Sequence, residues 1–74
     1  MTRVQQAILD FERRPWTYLQ CKDTAIREHF GLEPARYYQL LDELLDDPAA
    51  LLHAPAVVLR HLRLRAVRRR LGAM

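Results

Sequence analysis

The sequence predicts an all-α domain of four to five short helices, with a central helix-turn-helix and an arginine-rich C-terminal helix. Apolar residues recur three and four positions apart in successive segments, which is the spacing of one helix face. Prolines and glycines separate these segments where helices begin and end. The chain has 74 residues, 50% of them hydrophobic, so it can form one small domain, residues 1–74, without a metal or a disulfide.

The first helix is predicted to run from Thr2, a residue type favoured at helix N-caps, to about Arg14. Pro15 ends it, because the residue before a proline disfavours the helical conformation. The apolar face of this helix consists of Val4, Ala7, Ile8 and Phe11.

A second helix is predicted to start at Tyr18, or at Asp23 with the aspartate as its N-cap, and to end at Phe30. Trp16, in the link before it, is expected to anchor the core, since a large aromatic there is more often buried than a ligand platform. The single cysteine, Cys21, excludes an intramolecular disulfide. We expect it to be a small buried residue in a reducing cytoplasm.

Residues 22–45 contain the predicted helix-turn-helix, with the turn at Gly31. Glycine adopts a positive φ without a Cβ clash and so ends the first helix, and Pro34 suits the first turn of the second. The predicted inward face of the second helix is Tyr37, Leu40, Leu41 and Leu44, and the outward face is Ala35, Arg36, Gln39, Asp42 and Glu43. The positions that resemble bacterial sigma-factor and repressor helix-turn-helix units are Ile26, Phe30, Gly31-Leu32 and Tyr37. An ordinary small helical bundle would use the same glycine signal.

The last third of the chain predicts two further helices. Asp47 and Pro48 suit the cap and first turn of a short helix that ends at His53. Pro55 then opens the last helix, which Gly72 ends.

Two opposite apolar arcs are predicted on this last helix. The arc expected to face the domain's own core consists of Val58, Leu59, Leu62 and Ala66. The opposite arc, expected to form a homodimer interface, consists of Val57, Leu64, Val67 and Leu71. The alternatives are a helix threaded between its neighbours, or one that frays past Arg65.

Charge is unevenly distributed along the chain, although its net value is only +3. Residues 33–47 contain five acidic residues and one base, Arg36. Residues 60–70 contain six arginines and no acid. An arginine-rich helix favours phosphate backbone or an acidic partner, because guanidinium groups bind both in bidentate fashion; the alternative is a solvated helix face.

The sequence does not predict an enzyme, a metal or a cofactor. His29, His53 and His61 have no metal-ligand spacing and are expected to be surface or cap residues. The helix-surface carboxylates lack an accompanying nucleophile or phosphate loop. The chain also lacks an apolar run long enough for a membrane span and a signal-peptide pattern, so we expect a cytoplasmic protein.

Double-stranded DNA is the predicted partner. The first residues of the second motif helix would reach base edges, namely Ala35, Arg36 and Gln39. Lys22 and Arg27 are expected phosphate contacts, and Tyr38 is either a phosphate contact or a half-buried core residue. Most non-specific attraction would come from Arg60, Arg63, Arg65, Arg68, Arg69 and Arg70.

A protein-binding module is the second hypothesis. Asp42 and Glu43 share the outward face with Gln39 and would repel DNA phosphates. In this alternative the arginine helix grips an acidic partner, such as a component of the transcription machinery.

The whole chain resembles a family of short, largely uncharacterised actinobacterial and actinobacteriophage proteins. The segments that carry the resemblance are FERRPW (Phe11–Trp16), Lys22, AIREHFGL (Ala25–Leu32), RYYQLL (Arg36–Leu41), Asp47-Pro48 and RHLRLRAVRRR (Arg60–Arg70). The resemblance implies a helix-turn-helix role in DNA binding and no further activity. Within FERR and RYYQ, we expect Phe11 and Tyr37 in the core and Glu12, Arg13, Arg36 and Gln39 on the surface. A salt bridge from Glu12 to an arginine of the same chain is the structural alternative for part of this pattern.

Overall fold

The computed structural model describes residues 1–14 and 19–72. The elements are α1 (Arg3–Glu12), α2 (Leu19–Phe30), α3 (Pro34–Leu44), α4 (Pro48–His53) and α5 (Pro55–Gly72). No strand occurs within the two described ranges, and the predicted all-α fold is confirmed. The predictions for Pro15, Trp16 and Tyr18 lie outside the described residues.

Side-chain caps start two of the helices where the sequence predicted them. Thr2 Oγ1 accepts the Gln5 N–H at 3.1 Å while Gln5 Oε1 accepts the Thr2 N–H at 2.8 Å, which is a reciprocal capping box. Asp47 Oδ1 accepts the Ala49 N–H at 2.9 Å at the start of α4. The N-cap prediction for Asp23 is wrong, because α2 begins four residues before it and Asp23 lies within the helix.

The turn between α2 and α3 has the predicted backbone. Gly31 has φ of 66° and donates its N–H to the Arg27 carbonyl at 2.9 Å, which ends α2. Pro34 is the first residue of α3, and the Tyr37 N–H donates to the Glu33 carbonyl at 3.0 Å. Three residues, Gly31 to Glu33, therefore separate the two helices.

The core is formed by residues from all five helices and the links after α3 and α4. In the described ranges the buried apolar side chains are Ile8, Leu9, Phe11, Ile26, Tyr37, Leu41, Leu44, Leu45, Ala50, Ala54, Val57 and Val58. Helix α1 packs against α3 and α4, α2 against α3, and α4 against α5. The rings of Phe11, Phe30 and Tyr37 meet with centroids 5.3 to 5.8 Å apart. The predicted inward face of α3 is confirmed, with Leu40 packed beside the buried residues.

The predicted faces of α5 are partly wrong. Val57 is 4% exposed and lies in the core beside Val58, so it does not belong to an outward dimer arc. Leu59 was predicted to face inward but is 50% exposed. The inward face includes instead two polar residues one and two turns after Val57, His61 and Arg65, because carboxylates of the same chain bind them.

Two single-residue predictions also fail. Cys21 is exposed, because it lies five residues before the buried Ile26, about 140° around α2 from it. Glu12, expected on the surface, is 1% exposed.

Candidate nucleic-acid interface

The outward face of α3 carries the residues predicted to read DNA bases. Ala35, Arg36 and Gln39 are all exposed, as the helical period predicted. Arg36 Nη1 donates to Gln39 Oε1 at 2.9 Å. This bond occupies the amide oxygen of Gln39 and leaves its amide N–H groups, and most of the Arg36 donors, open to solvent.

Tyr38 is half-buried on the flank of this face. The Lys22 ammonium lies 5.4 Å from the centroid of its ring. Burial raises the pKa of Tyr38, and the neighbouring Asp23 and Glu12 carboxylates raise it further. The half-buried alternative for Tyr38 therefore matches its placement.

Helix α5 pairs one of its arginines with two carboxylates, one near the end of α3 and one just after it. Arg65 donates to Asp42 Oδ1 at 3.3 Å and to the two carboxylate oxygens of Asp46 at 2.8 and 3.3 Å. The hydrogen bond from Arg65 lowers the pKa of Asp46, and the pKa of Arg65 is raised in turn. Glu43 stays exposed and forms no ion pair with any residue in the described ranges.

The other arginines of α5 differ in the contacts that their guanidinium groups make with the protein. Arg60 Nη2 donates to the Glu12 carbonyl at 3.1 Å. Arg69 is exposed and lies close enough to Asp46 to contribute to its lowered pKa. The exposed arginines of α5 that form neither an ion pair nor a hydrogen bond with a described residue are Arg63, Arg68, Arg69 and Arg70. On α2, Arg27 is also exposed and lies 3.5 Å from a Glu33 oxygen.

A buried polar cluster of Glu12, Lys22, Tyr37 and His61, here called the Glu12 cluster, joins α1, α2, α3 and α5. Lys22 Nζ lies 2.9 Å from both carboxylate oxygens of Glu12. Tyr37 donates its hydroxyl to Glu12 Oε2 at 2.5 Å, and His61 Nε2 lies 2.9 Å from Glu12 Oε1. One carboxylate thus accepts from three different helices.

The Glu12 carboxylate is stabilised in its charged form. Burial alone would raise its pKa, but hydrogen bonds from His61, Tyr37 and Lys22, with the charge of Lys22, lower the pKa from 4.5 to about 2. Burial and the adjacent carboxylate raise the pKa of Tyr37 far above its ordinary value.

The Glu12 cluster corrects three sequence predictions. The Lys22 side chain is only 12% exposed and binds Glu12, which removes it from the predicted phosphate contacts. His61 is held by the same carboxylate and is not a free surface residue. The alternative of a salt bridge between the Glu12 carboxylate and an arginine is wrong, since the carboxylate binds Lys22, Tyr37 and His61 and Arg60 reaches only the Glu12 backbone carbonyl.

A signal for the burial of Glu12, though not for its partners, was present in the sequence. Glu12 lies four residues after Ile8, on the apolar face of α1, where the helical period brings a side chain into the core. The remaining histidines make separate contacts: His53 Nε2 lies 2.9 Å from Asp10 Oδ1, and His29 stacks on Phe11.

The predicted dimer arc survives in part as exposed surface. Leu64, Val67 and Leu71 are 45%, 50% and 66% exposed, and they follow one another at helical spacing along α5. Val57, the fourth predicted member, is buried in the core.

Two further structural observations concern the described residues only. No group of three or more His, Cys, Asp or Glu side chains among them is arranged to hold a metal ion. No helix in residues 1–14 and 19–72 is both long enough and apolar enough to cross a membrane.

A family model described as "Protein of unknown function (DUF3263)" matches residues 1–71. The chain belongs to the DUF3263 family. Comparison of this DUF3263 protein with curated proteins and with solved structures found no match.

Proposed function

We propose that this DUF3263 protein is a small, non-enzymatic helix-turn-helix protein that binds double-stranded DNA and regulates transcription. The observation that carries the proposal is the outward face of α3, where Arg36 and Gln39 are exposed just after the three-residue turn from α2. In helix-turn-helix proteins, this part of the second helix contacts base edges in the major groove.

The chemistry of these two side chains suits base recognition. Arginine pairs with the O6 and N7 acceptors of guanine, and glutamine pairs with adenine. The hydrogen bond from Arg36 to Gln39 holds the two groups side by side, so they would contact neighbouring bases. Ala35, also exposed, leaves room for the helix to approach the groove and offers a methyl group to thymine.

The charges around α3 support the same proposal. The repulsion that Asp42 would exert on phosphates is reduced by Arg65, which binds both Asp42 and Asp46. We assign the non-specific attraction to the exposed arginines of α5 that form neither an ion pair nor a hydrogen bond with a described residue, Arg63, Arg68, Arg69 and Arg70. Arg27 at the end of α2 is a further proposed phosphate contact.

A homodimer through the outer face of α5 is part of the proposal. The exposed apolar stripe of Leu64, Val67 and Leu71 would pack against its copy, which would present two reading helices to DNA. Sedimentation of the free protein tests this part separately. A Leu64→Glu variant should stay monomeric where the parent protein is dimeric.

DNA binding is tested with fluorescently labelled random duplexes, by mobility shift and anisotropy, in a salt series from ~50 to ~200 mM. Affinity should fall steeply with salt. Arg36→Ala should reduce the preference for the best selected sequence by about 1–3 kcal/mol, whereas Arg68→Ala should weaken all sequences alike. Arg3→Ala is the matched control, because Arg3 is exposed on α1 and lies outside both surfaces. Absence of duplex binding at the lowest salt would refute the proposal.

A second candidate function is a protein-interaction module for an acidic partner, such as a component of the transcription machinery. The observation that favours it over DNA binding is Glu43, an exposed carboxylate on the outward face of α3 without an ion pair in the described ranges. This carboxylate would repel DNA phosphates. Arg65 already binds two helix-surface carboxylates, which is the contact that an acidic partner would repeat. This candidate predicts a stoichiometric complex that survives nuclease treatment.

The actinobacterial or phage source and the cytoplasmic location implied by the sequence stay predictions.

A further inference from the structure

A groove of about 430 Å³ lies between α3 and α5, on the flank of α3 rather than on its outward face. Three leucines give it an apolar lining: Leu41 and Leu45 from α3 and its end, and Leu64 from α5. Leu41 and Leu45 are buried, whereas Leu64 is 45% exposed. The groove is therefore an open apolar surface of a size typical of small-molecule sites, about 300–1,000 Å³.

The polar border of the same groove consists of Tyr38, the Asp42 carboxylate and four basic side chains, and most of the basic side chains already have partners. Lys22 and His61 bind Glu12, and Arg65 binds Asp42 and Asp46. Arg68 also lines the groove but forms no ion pair with any residue that the structure describes. One guanidinium group beside the leucines is thus without a counter-charge.

We infer that this groove binds a small amphipathic anion, in which a carboxylate meets Arg68 and an apolar body about the size of two fused rings covers the leucines. A neutral apolar molecule would leave the guanidinium group unpaired, and a purely polar anion would leave Leu41, Leu45 and Leu64 uncovered. Charge complementarity and apolar lining together select the amphipathic class. The inference goes beyond the proposed function but shares two residues with it, Arg68 of the proposed phosphate contacts and Leu64 of the proposed homodimer face, so the ligand is titrated into protein free of DNA.

Isothermal titration calorimetry with naphthoate tests the inference, and naphthamide is the neutral probe of nearly the same shape. Naphthoate should bind at one saturable site per chain, and more tightly than naphthamide. Arg68→Gln should lower the affinity for naphthoate about tenfold, the loss expected for one charge-assisted hydrogen bond. Leu64→Gln, at a partly exposed position, should weaken both probes because it removes apolar lining, whereas Val67→Gln, on the same proposed dimer face but outside the groove, should weaken neither.

Arg70→Gln is the matched control, since Arg70 is an exposed arginine of the same helix that does not line the groove. It should leave naphthoate affinity unchanged. Far-UV circular dichroism of each variant verifies that the helices are retained. Equal losses in Arg68→Gln and Arg70→Gln, equal affinity for the two probes, or no saturable binding of naphthoate would each overturn the inference.

Discussion

Replacing Glu12 with glutamine separates the charge of the Glu12 cluster from its shape. Glutamine keeps the length of the side chain but cannot accept three hydrogen bonds as an anion does. Lys22 would lose the opposite charge that now lies 2.9 Å from its ammonium group. Because the carboxylate is 1% exposed, water does not replace the lost contacts.

The pKa of Glu12 gives the magnitude. The fall from 4.5 to about 2 means that the fold stabilises the charged carboxylate over the neutral acid by about 3 kcal/mol, at ~1.36 kcal/mol per pH unit. Removing one partner of a buried ion pair typically costs ~3–5 kcal/mol, which agrees with this value. A domain of 74 residues has a total stability of about 4–11 kcal/mol, so Glu12→Gln should remove a large part of it.

The same pKa predicts how the effect depends on pH. The folded-state pKa lies below the unfolded value, so the stabilisation is present above pH 4.5 and is lost as the pH falls toward about 2. The difference in unfolding free energy between the parent protein and Glu12→Gln should therefore be about 3 kcal/mol at pH 7 and shrink through this range.

Urea denaturation followed by circular dichroism, at a series of pH values, measures this difference. Asp10→Asn is the control in the same helix, because Asp10 is a carboxylate that is 53% exposed and pairs with Arg13 and His53. It should cost no more than about 1 kcal/mol. If Glu12→Gln is no more destabilising than Asp10→Asn at pH 7, or if its effect does not change with pH, the reasoning about the Glu12 cluster is refuted.

Three further substitutions test other parts of the fold by the same denaturation assay. Tyr37→Phe removes the hydroxyl bond to Glu12 and should cost about 1–3 kcal/mol; a cost below ~0.5 kcal/mol would contradict the buried bond. Gly31→Ala should cost about 1–2 kcal/mol through backbone strain at φ of 66°, since no neighbouring atom obstructs an added Cβ. Thr2→Ala should cost about 1 kcal/mol by breaking the capping box with Gln5, and Thr2→Ser should restore most of that stability.

Local signals account for the parts of the fold that the sequence predicted. The turn at Gly31, the start of α3 at Pro34 and the cap at Asp47 depend on residues within a few positions of each other. The exposed positions of Arg36 and Gln39 follow from the helical period and the buried position of Tyr37 between them. Such features need no knowledge of what packs against the helix.

Features that depend on distant partners were missed. Glu12 binds Lys22 ten residues away and His61 49 residues away, and the sequence does not indicate that these three side chains meet. A carboxylate on an apolar helix face can be accommodated in two ways. The helix can rotate so that the carboxylate is exposed, or the carboxylate can be buried with cations that compensate its charge. Only the tertiary packing decides between them.

The arginines of α5 show the same limit for the candidate site. The helical period spreads the six arginines of residues 60–70 around α5, and the sequence does not show which of them face the protein. The sequence-based prediction therefore assigns all six to DNA. The packing of α5 separates them, because Arg60 and Arg65 face the protein and bind its carbonyl and carboxylate groups. The positive surface left for the proposed phosphate contacts is correspondingly smaller than the arginine count implies. In the proposed DNA complex Arg65 would still contribute, since it reduces the negative charge beside the outward face of α3.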